Sequence, residues 1–200
     1  FEFGDYDPAT NRAGDFEFTK KKLNFGRLWM DYGFVIPAEQ TSGGQDKANP
    51  QPTFIVPLGT KVRSLVDGVV VGVEKLYSND FSVMVSSDMK SPWRYELEHV
   101  VNPVVAVGDT VTAGQVVAEA ANFNNNAPEG FGVFEIGILH GGNPPEHVCP
   151  FAYLDPSVKE NIFGQIRGLY KAWEDYTGET DLYDESLTVP GCATLEAIEG

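Results

Sequence analysis

The sequence predicts an all-β domain carrying an N-terminal extension and a C-terminal α-helix with a tail, and three observations predict it. From Phe54 to Ile138 short Val-rich runs are separated by turns of Gly, Asp, Asn and Pro, the pattern of β-strands rather than helices. The stretch carries a weak internal echo, in which Gly59-Thr-Lys-Val62 with Asp67-Gly-Val-Val70 is answered by Gly108-Asp-Thr-Val111 with Gly114-Gln-Val-Val117. This is expected of two similar β-units packed face to face. After Leu154 the apolar spacing changes to three and four.

Residues 1–52 read as an arm and loop packing on the domain. Phe1, Phe3, Tyr6, Phe16, Phe18, Phe25, Trp29, Tyr32 and Phe34 make the first part too aromatic for disorder. Asp5, Asp7, Asn11 and Asp15 suggest a calcium loop at first sight, but Ala9 occupies a ligand position and no Glu closes the loop, so a plain turn is expected. The stretch PAEQTSGGQDKANPQPT, 37–53, is loop by composition and is placed to border a groove.

Residues 53–155 form the β domain. Strands are expected from Val62 to Val66, Val69 to Val73, Ser82 to Val85, Tyr95 to His99, Val104 to Val107, Gln115 to Ala118 and Gly132 to Ile138. In 156–200, Ser157 and Glu160 suggest a capping box, Val158, Ile162, Ile166, Leu169 and Trp173 share one helix face that docks on the sheet, and Gly178 closes the helix.

Composition excludes several partners. The chain has 200 residues with 14 Lys+Arg against 29 Asp+Glu, a formal net charge of −15 that repels nucleic-acid phosphates and anionic lipid. Lys20-Lys21-Lys22 is too short to offset it. No apolar run reaches the roughly 20 residues of a spanning helix, so no transmembrane segment is expected. The two cysteines, Cys149 and Cys192, are expected to pair and tie the tail to the core, worth about 2–4 kcal/mol; two buried thiols are the other reading. A start at Phe1 suits a processed chain, and with a disulfide it leads to an expected extracellular or periplasmic location.

Pro57-Leu-Gly59-Thr60-Lys-Val62, Asp67-Gly68-Val69-Val70, Val107-Gly108-Asp109-Thr-Val111, Ala113-Gly114-Gln115-Val116, Phe134-Glu135-Ile136 and Cys149-Pro150-Phe-Ala-Tyr153-Leu154 follow one another in the order found in lysostaphin-type, LytM-like zinc endopeptidases. The resemblance spans roughly 53–155. It implies a compact barrel-sandwich, the duplicated hybrid motif, and in active members a zinc ion that activates water to cut the peptide cross-bridges of bacterial cell wall.

The chain departs from that pattern where the ion is held. The family's His-x-x-x-Asp pair falls on Asn49 and Thr53, and its His-x-His on Phe131 and Val133. His99 matches the family's catalytic His, though Leu97 replaces a Tyr and Val100 a Leu; it reads either as part of a binding cleft or as a structural histidine hydrogen-bonded between Glu98 and the sheet. His140, His147 and Cys149 cluster, but with the wrong spacing for a zinc finger, and a disulfide with two surface histidines is preferred.

The expected function is therefore that of a pseudo-peptidase. It is a non-catalytic domain of an envelope or secreted protein that binds a cell-wall glycopeptide or an envelope protein through the positions of His99, Asn49, Thr53, Phe131 and Val133, without metal or other cofactor. Phe131, Trp93, Phe123 and Tyr95 are candidates for stacking on a ligand, core packing being the alternative. The competing reading is an active zinc metalloendopeptidase with ligands from elsewhere, such as His99 with Asp46 or Glu39. A biotinyl or lipoyl carrier is disfavoured because the hairpin 121–128 has no lysine, Lys90 lying in another turn.

Overall fold

The computed structural model describes residues 1–41, 43–123 and 127–199. The β domain is built from β1 (Thr53–Pro57), β2 (Lys61–Arg63), β3 (Gly68–Lys75), β4 (Phe81–Ser86), β5 (Trp93–Val101), β6 (Thr110–Val111), β7 (Val116–Ala120), β8 (Phe131–His140) and β9 (Glu146–Val148). The order β6-β3-β4-β5-β8-β9 continues to a last short strand, Ile198–Glu199, while β1 pairs with β8 and β7 with both β5 and β2. All of these pairings are antiparallel.

The internal echo becomes reciprocal pairing. The first strand of one half pairs with the second of the other, β2 with β7 through Val62↔Ala118, and β6 with β3 through Thr110↔Val69. Matching backbone bonds close the two junctions: Ser64 N donates to Gln115 O at 2.9 Å and Gly114 N to Ser64 O at 2.9 Å, while Val70 N donates to Asp109 O at 2.8 Å and Gly108 N to Val70 O at 2.9 Å. Gly59 and Gly108 sit at φ 81° and 98°, which a side chain would strain, so these turns call for glycine. The halves thus interlock edge to edge through these pairs, within the all-β sandwich that the sequence predicts.

One expected strand is absent. Val104 to Val107 is irregular and Val104 is 69% exposed. Pro103 offers no backbone donor, and the run is held by Val104 N donating to Val117 O and by the Asp109 side chain accepting from Ala106 N.

The arm and the helix complete one continuous core. Phe54 stacks on Phe134 across β1 and β8 at 5.2 Å, and Phe1, Phe3, Phe16 and Trp29 surround them. Asp7 ends the short strand Tyr6–Asp7, and its carboxylate accepts from Ala9 N in the turn that follows. The helix α1 spans Pro156–Thr177, with buried face Phe163, Ile166, Leu169, Tyr170 and Trp173. Val158 is exposed, so the docking stripe begins later than expected.

The capping box is also corrected. Asp155 is the N-cap and accepts from Ser157 N at 2.8 Å, with Pro156 in the first turn, where its missing N–H costs nothing. Gly178 closes the helix at φ 78°. Cys149 and Cys192 form a disulfide, which removes both thiols from any metal site with His140 or His147.

Candidate functional site: a carboxylate-rich groove

Two adjoining depressions of about 340 and 370 Å³ share Ile36, Asn49, Phe123 and Glu135 and form one groove. One wall is the 37–52 loop, pinned by pairing of Val35–Ile36 with Lys47–Ala48; the floor is the junction of β1, β8 and β5. The composition-based expectation that this loop borders a groove agrees with its position.

Register explains which side chains reach the floor. Glu135 is opposite Thr53 on one side and Glu98 on the other, so three polar residues stand side by side across β1, β8 and β5. Neighbours on one face of a sheet are within interaction reach. A β-bulge then adds His99. Opposite β4, the register runs from Val83↔Leu97 to Phe81↔Val100, leaving Glu98 and His99 against Ser82 alone. His99 adopts φ 59°, and both consecutive residues line the groove where plain alternation would send one away.

The polar contacts are unevenly supplied. Asn49 Nδ2 donates to Thr53 Oγ1 at 3.2 Å and to Asp31 O at 3.3 Å. The Thr53 hydroxyl lies 3.0 Å from Glu135 Oε1 and 3.2 Å from Gln51 O, and its single hydrogen serves only one of them. Gln51 Nε2 donates to Glu96 Oε2 at 2.9 Å and to Glu98 Oε2 at 3.3 Å, and Ser82 Oγ donates to Glu96 Oε1 at 2.5 Å. Gln51 Oε1 and His147 Nδ1 are buried without a partner, in residues only 4% and 5% exposed.

His99 is held on its other edge. Its Nδ1 is 3.0 Å from Asp80 Oδ2 and 3.4 Å from Ser78 Oγ, and Phe123 stacks on the ring at 3.6 Å. The partner is therefore Asp80, not Glu98 as a structural role was expected to require. Burial pushes the imidazole down, against the opposing pull of Asp80, so the ring is neutral at pH 7, with Nδ1–H donated to Asp80 and Nε2 bearing a lone pair.

Burial also raises the carboxyls, and their neighbours add to it. Glu98 is pushed up to about 8, first by desolvation and then by Glu96, Glu135 and Asp80. Glu135 rises to about 7 by desolvation, with Thr53 opposing and Glu96 adding. Glu96 is raised by burial against the bonds from Ser82 and Gln51. The one cationic side chain lining the groove among the described residues is Lys47.

Of the residues singled out in the sequence, His99, Asn49, Thr53 and Val133 line this groove, whereas Phe131 is buried further along β8 with Lys21 over its ring. Among the four candidate stacking aromatics only Phe123 lines it; Trp93 packs against His140 at 4.4 Å instead. Asp46 accepts from Ala38 N and Glu39 lines neither depression, so neither joins His99. The polar turn 122–128 reaches the rim through Phe123, and 124–126 lie outside the described residues.

Sequence reasoning missed Glu98, Glu135, Gln51 and Asp80. The available signal was Glu96-Leu97-Glu98, two carboxylates at period two on one face of a strand.

No protein-family model matches the sequence, and no curated protein does. Solved structures do. The antimicrobial peptidase lysostaphin from Staphylococcus simulans matches with a TM-score of 0.50 and 18% identity over 68% of this chain and 53% of that one. The catalytic domain of the prophage-encoded protein EnpA from Enterococcus faecalis, in a mutant form, has 20% identity over 66% of this chain and 97% of its own, with a TM-score of 0.45. A zinc containing peptidase from Vibrio cholerae has 20% identity over 65% and 38%, with a TM-score of 0.45. At such identities the likeness is one of architecture, and it agrees with the order of turns and strands read from the sequence: the chain has the LytM-like fold of the lysostaphin-type peptidases.

Proposed function

We propose that this chain is a non-catalytic LytM-like domain, acting outside the cytoplasm, whose groove binds a cell-wall glycopeptide or an envelope protein. The observation that carries it is the chemistry at the four positions where the resemblance requires zinc ligands. Asn49, Thr53, Phe131 and Val133 offer an amide, a hydroxyl, a phenyl and an isopropyl group, and the first two spend their polar atoms on one another and on backbone and Glu135. Zinc held in the manner of the active peptidases needs about three imidazole, thiolate or carboxylate donors. These four residues do not fit it.

What remains suits recognition. The groove presents a stacked aromatic face at Phe123, an amide oxygen and a row of carboxyl groups, which favour a ligand rich in N–H and O–H donors. Peptide amides, amino-sugar hydroxyls and free amines of a cell-wall fragment all qualify. The disulfide is compatible with an oxidising compartment.

Co-sedimentation with insoluble peptidoglycan, followed by calorimetry with soluble fragments, tests the reading. Binding is expected without release of new amino termini, and Phe123→Ala is expected to weaken it by about tenfold, the loss of one stacking contact of about 1 kcal/mol. Chelator-sensitive hydrolysis of the fragments would sink the non-catalytic reading in favour of a metallopeptidase.

A further inference from the structure

We propose that the groove is a divalent-cation site made by Glu98, His99 and Glu135, with Gln51 Oε1 as a further oxygen donor, and that it takes a transition ion such as Mn²⁺ or Zn²⁺. None of these residues occupies the four positions discussed above, so the site is a different one within the same groove.

Geometry comes first. One ligand atom from each of Glu98, His99 and Glu135 lies within 4.8 Å of the others. Donors around a tetrahedral ion at about 2.1 Å stand roughly 3.4 Å apart, so the carboxylates must draw in by about 1–1.5 Å, a side-chain rotation rather than a backbone change.

The imidazole is already oriented as a ligand. Asp80 fixes Nδ1, which leaves Nε2 as the nitrogen with a lone pair, and a histidine that ligates a metal is commonly oriented by a carboxylate on its other nitrogen in just this way. The bulge turns Glu98 and His99 into the groove together, although they are consecutive along the strand.

A second, independent observation is the Gln51 amide. Its Nε2 is committed to Glu96 and Glu98, so the amide orientation is fixed by those bonds, and Oε1 is left buried without a donor in a residue that lines the groove. A buried carbonyl oxygen without a partner costs free energy that a cation would recover. Glu98 and Glu135 line the same groove, with Lys47 the single ammonium lining it among the described residues. Two carboxylates, an amide oxygen and one imidazole make a mixed oxygen and nitrogen set, which suits Mn²⁺ or Zn²⁺ better than Mg²⁺.

The test uses the whole chain, stripped with chelator and titrated calorimetrically with Mn²⁺ and, separately, Zn²⁺. One equivalent is expected to bind, with Glu98→Gln and Glu135→Gln each abolishing it and Asp80→Asn weakening it by about 10–100-fold. Circular dichroism checks that the variants are folded. Paramagnetic broadening by Mn²⁺ of the His99 and Phe123 resonances in the unaltered protein gives a readout independent of any variant. Absence of saturable binding, binding retained in both Gln variants, or broadening centred elsewhere would overturn the proposal. Cell-wall binding that persists in stripped protein leaves the groove's proposed function standing, so the two readings fail separately.

Discussion

Two buried carboxylate centres in this molecule are built oppositely. Beneath the helix, Asp31 Oδ1 accepts from Trp29 Nε1 at 2.5 Å and from the Tyr170 hydroxyl; Tyr170 stacks on Tyr183 at 4.2 Å, whose own hydroxyl meets Leu28 N and Trp29 N. One carboxyl group is served there by two side-chain donors. In and beside the groove, four carboxyl groups, those of Glu96, Glu98, Glu135 and Asp80, share the Gln51 amide, the hydroxyls of Thr53, Ser82 and Ser78, the His99 ring nitrogen and the Lys47 ammonium. A centre saturated by its own chain holds a fold together; one short of donors waits for something from outside. Burial raises Asp31 as well, so the two centres differ in partners rather than in depth.

That contrast can be broken or sharpened by experiment. Trp29→Ala at the Asp31 centre is expected to cost about 3–5 kcal/mol, since a fully buried ring and a carboxylate donor are lost together; urea unfolding measures it. Reduction of Cys149–Cys192 should cost about 2–4 kcal/mol by the same assay. Tyr170→Phe, which leaves Asp31 one donor short, should cost about 1–3 kcal/mol and leave ligand binding in the groove unchanged. A Tyr170→Phe variant that alters groove binding would mean that the two centres are coupled.

The groove, for its part, responds to pH. Glu98 and Glu135 bind protons more tightly folded than unfolded, at about 8 and about 7 against an ordinary 4.5. In chelated protein the folded state therefore holds extra protons between about pH 4.5 and 8, and stability falls as pH rises through that window. Burial sets the size of that fall first; Glu96 and Asp80 add to it, and Lys47 opposes it at Glu135. Thermal melting at pH 5 and pH 8 should show the drop, and Glu135→Gln should flatten it; a melting temperature that rises over the same range would contradict the shortage of donors.

The fold was more legible than the site because its signals are local. Gly59, Gly108 and Gly114 mark turns by backbone freedom, and alternation marks the strands between them, so the strand order could be matched to a known pattern. Val104 to Val107 misled because branched apolar residues favour strands on average, while here the run is exposed and lies beside Pro103. Asp155 was overlooked as the helix cap because Ser157 offered a closer match to the box pattern.

The site was half legible. Asn49, Thr53 and Val133 were found as the positions that the family resemblance marks, counted back from Gly59 and Phe134, and they line the groove. Glu135 was quoted only as part of a scaffold motif, and its meeting with Glu98 depends on the register between β5 and β8, a long-range pairing that single-sequence spacing does not carry. The bulge at His99 is likewise invisible in the residue types, since nothing about Glu-His demands a left-handed backbone.

The bond between Cys149 and Cys192 encloses the helix and most of the acidic tail in a covalent ring. A protease that nicks the exposed stretch 184–186 would open that ring without releasing either end. The cut molecule would migrate as a single band until a reductant is added, and only then separate into two pieces, so a surface loop in a protease-rich setting can be severed while the domain stays whole.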